Sequence, residues 1–300
     1  MKKPVIKFLL KVLLFVIVIA AFFEILFLCG CYPVVTNSTF FDQKMFSVQK
    51  QHIKHVELMA IGSSVALYEL NSPIMVHNFN IPYYNFASWN LQITDTRVLL
   101  TDFVKRYHPR YVILCSSIND FISPANSTYL NYVNAPDFIK YHLPEAFYLK
   151  NYTSAYQVVR RKLNSYPLAV DQWGGAFLTA KQINKAKWDE HNIFPTRYTG
   201  ENYEALDSLG SFLKAQNIKL IFIQVPLKKS YAGTPQSSAV LSAHFARCKS
   251  IVEQQGGIYL NYHNTNVFTD SLFTDQYHLQ LNGAVMLTNQ IVKDLKGIIR

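Results

Sequence analysis

The sequence has few cysteines and few charged residues, and both shortages exclude classes of protein. Four cysteines in 300 residues are too few for a disulfide framework. Charged residues make up only 16% of the chain and hydrophobic residues 50%, which excludes a disordered or collagen-like protein. The net charge of +10 is spread without a dense basic run, so it gives no argument for nucleic-acid binding. The length allows one large domain or two small ones.

A long apolar run near the amino terminus predicts a membrane anchor. Residues Val12 to Gly30 contain a single charged side chain, Glu24. A helix of this length rises about 28 Å, close to the thickness of the hydrocarbon core of a bilayer. Four lysines precede the run, so the positive-inside rule predicts a cytoplasmic tip and an extracytoplasmic carboxyl-terminal domain. We therefore expect residues 1–32 to hold the chain in the cytoplasmic membrane as a single-pass protein.

The sequence leaves alternatives to this anchor open. A cleaved signal peptide has an apolar core of about 7–15 residues, and the run here is longer and lacks a clear cleavage site. The segment Leu28–Cys31 faintly resembles a lipobox, in which Cys31 would carry the lipid. Glu24 could face a partner helix or reach the lipid headgroups.

After the anchor, residues 33–54 are polar and predict a stalk, and short apolar runs then alternate with helical patterns. The predicted strands are Val56–Ile61, Tyr83–Ala87, Tyr111–Cys115, Leu220–Val225 and Ile258–Leu260. Apolar residues recur at helical spacing near residues 93–107, 201–216, 236–255 and 281–295. This alternation over residues 55–300 predicts a three-layer α/β/α sandwich with a five-stranded parallel, flavodoxin-like sheet.

Residues 121–198 interrupt this alternation with many tyrosines, several prolines and the pair Gly174-Gly175. Segments 138–156 and 176–188 have helical patterns. We interpret the region as an insertion or cap beside the active site, where substrate would be selected. A packing embellishment without a functional role is the alternative.

Polar residues follow the predicted strands, at the edge where parallel sheets place their chemistry. Gly62-Ser63-Ser64 comes after the first strand, and Ser117-Ile118-Asn119-Asp120 comes after the third. Asp275-Gln276-Tyr277-His278 stands just before the last helix. A serine can act as a nucleophile, an asparagine amide can stabilise an oxyanion, and an aspartate can hold the tautomer of a nearby histidine. Each segment alone is a weak signal, but their order indicates acyl transfer through a serine.

In this order the segments resemble the blocks of the SGNH (GDSL-type) hydrolases, over about residues 55–120 and 218–297. The resemblance implies that Ser64 is the nucleophile, with Ser63 as the weaker alternative, and that His278 is its base. Asp275 would orient the histidine, and Asn119 would donate its amide to the oxyanion. No metal or cofactor is expected.

The chain departs from the family pattern at three positions. Ser63 replaces the family aspartate, and the resulting Gly-Ser-Ser is similar to the variant in membrane-anchored cell-envelope acyl- and acetyl-transfer proteins, such as those of teichoic-acid D-alanylation and alginate acetylation. Asn90 stands in Asn85–Asn90, the second block, where the family has an oxyanion glycine. Its backbone amide can still donate, but its side chain is expected either to narrow the oxyanion hole or to require an unusual φ. Ser117 in place of glycine is a mild change.

Together, anchor and resemblance predict a membrane-anchored extracytoplasmic serine esterase or O-acyltransferase. It would act on cell-envelope polysaccharide, with acetyl as the favoured group, through an acyl-serine intermediate. Expected partners are an acylated glycan or acyl donor and, as in similar proteins, a polytopic membrane-bound O-acyltransferase. The alternatives are a catalytically inactive glycan-binding or scaffold protein, for which Asn90 is the main argument, and a lipid or small-ester esterase.

Three aromatic residues adjoin the motifs and are weaker candidates for substrate binding. Trp89, Tyr68 and Tyr277 could stack on a sugar ring, although aromatic residues beside a site often serve only in packing.

Overall fold

A five-stranded parallel sheet organises the larger of two units of the chain. The computed structural model describes residues 3–29, 33, 35–36, 38–125, 127–149, 170–178, 194, 198–264 and 266–300. The larger unit consists of residues 52–130 and 168–300, and the smaller unit consists of residues 1–51 and 131–167.

The sheet has the strand order β2-β1-β3-β4-β5, and every neighbouring pair is parallel. The strands are β1 Leu58–Gly62, β2 Tyr83–Asn85, β3 Tyr111–Ser116, β4 Lys219–Gln224 and β5 Ile258–Asn261. All residues of β1, β2 and β3 are buried, as expected for strands covered by helices on both faces. The predicted fold class and all five predicted strands are therefore confirmed, with bounds shifted by one or two residues.

Helices connect the strands and cover the sheet. Those of the larger unit are α3 Ser64–Glu69, α4 Ser72–Phe79, α5 Ile93–Tyr107, α8 Gly200–Ala215, α9 Lys229–Ala232, α10 Pro235–Gln254 and α11 Leu281–Leu295. Short 3₁₀ turns cover Ile118–Phe121 and Asp270–Leu272. Capping residues define where two of these helices begin. Gln92 and Asp95 form a capping box at the start of α5, and Thr234 is the N-cap of α10, with Pro235 at its first position.

The smaller unit contains the apolar run, which forms helix α1 Lys3–Leu28. Its other described helices include α2 Thr39–Lys50, the end of α6 Ser127–Val133 and α7 Asp137–His142. Helix α1 is long and apolar enough to cross a membrane, and none of its residues is buried. Cys31, the candidate lipid attachment site, lies outside the described residues.

The segment predicted as a stalk contains helix α2, which has a buried face. Phe40, Phe41, Met45 and Val48 recur at helical spacing and are at most 5% exposed. Asp42 accepts hydrogen bonds from the backbone N–H groups of Val35 and Thr36 and so ties the preceding chain to the helix. Residues 33–51 are therefore grouped with the smaller unit, and the division of the chain into anchor, stalk and domain stays a prediction.

Only parts of the predicted insertion are described, and residues 150–169 and 179–193 lie outside them. Residues 170–178 run beside β2 and α3, where Asn85 donates its backbone N–H to Trp173 and Ala176 donates to Leu67. Gly174 has a φ of +84°, and a Cβ there would meet the Asn85 carbonyl oxygen at 2.3 Å. A glycine is therefore required at this close approach, whereas the predicted role of the insertion in substrate selection stays a prediction.

Candidate active site

The carboxyl ends of β1 and β3 bring two of the predicted motifs to the same edge of the sheet. The two strands pair in register, with Gly62 opposite Cys115. Gly62 has a φ of +141°, and a Cβ at this residue would lie 2.3 Å from the Cys115 carbonyl oxygen. Only glycine fits this turn, which places the segment after β1 directly beside the segment after β3.

Ser64 is the first residue of the short helix α3, and its hydroxyl is the partly exposed one of the serine pair. Its Oγ lies 2.7 Å from His278 Nε2, although the two residues are 214 positions apart. Ser64 N–H belongs to the first helical turn, where backbone donors have no acceptor inside the helix. The hydroxyl thus has a base on one side and a backbone donor close by.

Ser63 occupies a different environment, because it is only 3% exposed. Its side chain hydrogen-bonds to the carboxyl group of Asp120, which also accepts from Ser116 Oγ and from the backbone N–H of Ser117. Burial raises the pKa of Asp120 to about 6, although these hydrogen bonds act in the opposite direction. The geometry therefore favours Ser64 over Ser63 as nucleophile and gives Ser63 a structural role between the two motifs.

The Asp275–His278 turn forms the other half of the site. His278 Nδ1 lies 2.7 Å from Asp275 Oδ2, and Asp275 Oδ1 accepts from the backbone N–H groups of Tyr277 and His278. Because a carboxylate only accepts, Nδ1 carries the proton and donates, and Nε2 is left to accept from the Ser64 hydroxyl. This is the tautomer that a general base needs.

Electrostatics keep Asp275 in its charged form. The residue is fully buried, which by itself raises the pKa of its carboxyl group. The electrostatic interaction with His278, the hydrogen bond to it and the two backbone donors outweigh burial and hold the pKa of Asp275 below its ordinary value. A charged Asp275 can therefore stabilise the imidazolium that forms when His278 takes a proton.

The side-chain amide of Asn119 is held by one hydrogen bond at its oxygen, and its nitrogen is left as a potential donor. Its Oδ1 accepts a hydrogen bond from the Tyr231 hydroxyl at 3.3 Å. Its Nδ2 is buried and has no hydrogen-bond partner among the described residues. A buried amide donor without an acceptor costs free energy of about 1–3 kcal/mol, so a group expected to bind there would regain it. Because the Tyr231 hydroxyl donates to Oδ1, the amide oxygen faces Tyr231 and Nδ2 stays available as a donor.

Asn90 lies in the turn after β2, and its backbone has the conformation that a glycine would supply. Its φ is +56°, which confirms the unusual value expected from the substitution. The turn is tied to the first motif because Ser88 donates its backbone N–H to the Gly62 carbonyl oxygen. The oxyanion role of Asn90 stays a prediction.

The three aromatic candidates are placed differently. Tyr68 is 1% exposed, accepts a hydrogen bond from Trp89 Nε1 and packs edge-on against the His278 ring. Tyr68 is therefore closed to a sugar ring, which corrects the prediction for this residue. Trp89 and Tyr277 are partly exposed, and the Tyr277 ring lies 4.4 Å from the ring of His278. For these two, substrate stacking stays a prediction.

Sequence reasoning missed two residues that support the site. Tyr231 follows β4 in α9, and a lone tyrosine in a loop gives no signal of its bond to Asn119. Glu69 is fully buried at the end of α3, where its Oε1 accepts from the backbone N–H of Leu279 at 3.4 Å. Burial raises the pKa of Glu69 well above its ordinary value, and its hydrogen bond to Leu279 joins α3 to the loop that carries His278.

The described residues contain no group of three or more His, Cys, Asp or Glu side chains arranged to hold a metal ion.

Comparisons with known proteins gave likenesses at the level of structure. No family model and no curated protein matches the sequence. The structure is similar to that of a Bacteroides fragilis protein assigned as an acylhydrolase, with 10% identity, a TM-score of 0.49, and coverage of 87% of this chain and 98% of the other. A Parabacteroides merdae protein assigned as a GDSL-like lipase matches with 9% identity and a TM-score of 0.44, over 82% of this chain and 98% of the other.

A third similar structure is the acetylxylan esterase Axe2 from Geobacillus stearothermophilus. The identity is 13% and the TM-score 0.44, over 81% of this chain and 96% of the other. At such low identities the likenesses say nothing about activity, so function must be inferred from the geometry of the site.

Proposed function

We propose that the protein is a serine ester hydrolase or O-acyltransferase that works through an acyl-serine intermediate. The observation that carries this proposal is the continuous hydrogen-bonded line from Asp275 through His278 to the Ser64 hydroxyl, with both distances at 2.7 Å. Residues from the start and the end of the larger unit meet in this line. Packing alone does not require a partly exposed serine hydroxyl at the end of a buried carboxylate–imidazole pair.

The reaction would proceed in two steps. His278 Nε2 takes the proton of Ser64 while Oγ bonds to the acyl carbon of the ester, and the carbonyl oxygen becomes an oxyanion. The Asn119 amide, with the backbone N–H of Ser64 and of Asn90, would stabilise that oxyanion. The tetrahedral intermediate then breaks its bond to the alkoxy oxygen, which leaves as an alcohol with the proton from His278. In the second step, His278 takes a proton from water or from an acceptor hydroxyl, whose oxygen bonds to the acyl carbon. The bond from that carbon to Ser64 Oγ then breaks, and His278 returns the proton to Oγ.

The location and substrate of this activity are further parts of the proposal. Helix α1 would anchor the chain in the cytoplasmic membrane with the larger unit outside the cytoplasm, as the four preceding lysines favour. Cell-envelope polysaccharide would then be the accessible substrate, with acetyl as the acyl group. A polytopic membrane-bound O-acyltransferase would be the partner that supplies acyl groups if the reaction is transfer.

The alternative, an inactive scaffold, rests mainly on Asn90, whose side chain would narrow the oxyanion hole or require an unusual φ. Asn90 has a φ of +56°, a conformation that asparagine adopts more readily than most residues, so the unusual φ is no obstacle to the proposal. A scaffold would also not need the buried Asn119 amide, for which the described part of the chain provides no acceptor.

A fluorophosphonate probe tests whether the serine is nucleophilic. The full chain in detergent should be labelled at Ser64, and labelling should disappear in Ser64→Ala and fall strongly in His278→Ala. The matched control is Ser63→Ala, which should remain labelled because Ser63 is buried against Asp120. Absence of labelling in the parent protein would contradict the proposal. Incubation with an acylated donor and an oligosaccharide acceptor, with products weighed by mass spectrometry, separates transfer from hydrolysis.

A further inference from the structure

A second element of the smaller unit lies against the apolar helix α1. Residues 137–149 comprise α7 and a turn that begins a new helix at Ala146. The ring of Tyr148 stacks on that of Phe23, with centroids 5.1 Å apart and an interplanar angle of 11°. This contact lies five residues before the end of α1, about 7.5 Å along its axis. If α1 spans a bilayer, Tyr148 is at membrane depth.

Three large apolar side chains of this segment are exposed. Phe138, Leu143 and Leu149 are 64%, 45% and 67% exposed, whereas the neighbouring Phe147 and Tyr148 are buried. The surfaces of soluble proteins tolerate scattered apolar residues. Here, however, three large exposed apolar residues lie in the segment that contacts α1, and α1 itself has no buried residue. The apolar surface of the segment continues that of the helix.

A groove between the two elements is lined almost entirely by apolar side chains. Its α1 wall includes Phe15, Ile19 and Ala20, and its other wall is formed by Leu143, Ala146 and Leu149. Phe15 and Ile19 lie near the middle of α1, where the surroundings of a spanning helix are acyl chains. Such a groove inside a bilayer is filled by the lipid around it.

The one acidic residue of α1 finds its partner in the same segment. The side chains of Glu24 and Glu145 hydrogen-bond to each other. Both residues line the groove, so this polar contact joins the two elements at its rim.

We propose that residues 137–149 insert into the membrane leaflet around the carboxyl-terminal half of α1, so that the chain contacts the bilayer through two elements and a lipid acyl chain fills the groove between them. This inference rests on α1 being a membrane span, but it does not depend on the catalytic activity. The segment therefore belongs to the anchor, although nearly 110 residues separate it from the end of α1.

Depth-dependent fluorescence quenching tests the proposal on the full chain. An environment-sensitive fluorescent amino acid is placed at Leu149 and the protein is reconstituted in phosphatidylcholine vesicles at about one chain per vesicle. Matched labels replace Phe22, which is exposed on α1, and Ser250, which is exposed on α10 of the larger unit. Lipids that carry nitroxide groups on their acyl chains then quench labels that lie inside the bilayer.

The proposal predicts that the labels at Leu149 and Phe22 are both quenched, each at least about threefold more than the label at Ser250. A label at Phe138 should behave like that at Leu149. Quenching at Phe22 but not at Leu149 would overturn the proposal, because the segment would then face water or another protein copy. Lack of quenching at Phe22 would overturn it as well, since α1 would not span the bilayer. Esterase or probe-labelling assays on the same samples report on the proposed function separately.

Discussion

His278 and His244, both buried in the described part of the larger unit, have contrasting surroundings, and the contrast shows what makes one of them a candidate base. His278 and His244 are 2% and 1% exposed. His278 binds a carboxylate at Nδ1 and the Ser64 hydroxyl at Nε2. His244 accepts from the Tyr203 hydroxyl at Nδ1, 2.7 Å away, and donates from Nε2 to Gln224 Oε1 at 3.2 Å. The two rings therefore hold opposite tautomers.

Their electrostatic partners explain the difference in chemistry. Burial lowers the pKa of His244 to about 3, because its neutral neighbours do not stabilise an imidazolium. His244 is thus fixed in its neutral form and joins α10 to β4 and α8. His278 is just as buried but has the charged Asp275 beside it, so it can accept a proton during a reaction. The partner of a buried histidine, rather than its burial, decides whether it can act as a base.

Replacing Asp275 by asparagine should have the largest effect, because it gives His278 an amide neighbour like that of His244. We expect the rate of ester cleavage to fall about 10³–10⁴-fold with the fold intact. The measurement is kcat on a chromogenic acetyl ester, with circular dichroism as the check on folding. Asp270→Asn is the matched control, since Asp270 lies in the same loop and binds the backbone of Lys229 and Ser230 instead of a histidine. A similar loss of kcat in both variants would contradict the view that the charged partner of His278 makes it a base.

Replacing His244 should change the pH dependence of stability rather than the reaction. The folded pKa of about 3 lies below the ordinary value of 6.5, so between these values the unfolded state binds more protons. Stability contributed by neutral His244 is therefore lost as pH falls below 6.5, by about 2 kcal/mol at pH 5.

His244→Gln cannot titrate and should abolish that part of the loss. Urea unfolding of both proteins at pH 7 and pH 5, monitored by tryptophan fluorescence, measures the difference. If the two proteins lose equal stability between these pH values, His244 is not held neutral in the folded state.

A smaller effect is expected from Tyr231→Phe, which removes the hydroxyl that orients the Asn119 amide. We expect kcat to fall about tenfold with KM nearly unchanged, which corresponds to about 1.4 kcal/mol for one hydrogen bond felt in the transition state. Asn119→Ala, which removes the donor itself, should cost more, about 10²–10³-fold. Tyr198→Phe is the control, because Tyr198 packs on the same hydrophobic cluster as Tyr231. A change in KM alone would assign Tyr231 to substrate binding.

The sequence allowed the sheet and the motif positions to be predicted, because both depend on local patterns. Continuous apolar runs such as Tyr111–Cys115 identify buried strands, and Asp275 and His278 are close enough in sequence to pair within one turn. The contact of Tyr231 with Asn119 joins residues 112 positions apart, and no local pattern encodes it. Likewise, a buried face on α2 becomes recognisable only once the elements that cover it are known.

Detection of an acetyl group on Ser64 tests the central claim most directly. The full chain is mixed with an activated aryl acetate, quenched in acid within the first turnovers, digested, and analysed by mass spectrometry. The predicted result is a mass increase of one acetyl group on the peptide that contains Ser64, greatly diminished in His278→Ala and unaffected in His244→Gln. Acetylation on another residue, or acetylation that does not require His278, would contradict the proposed reaction.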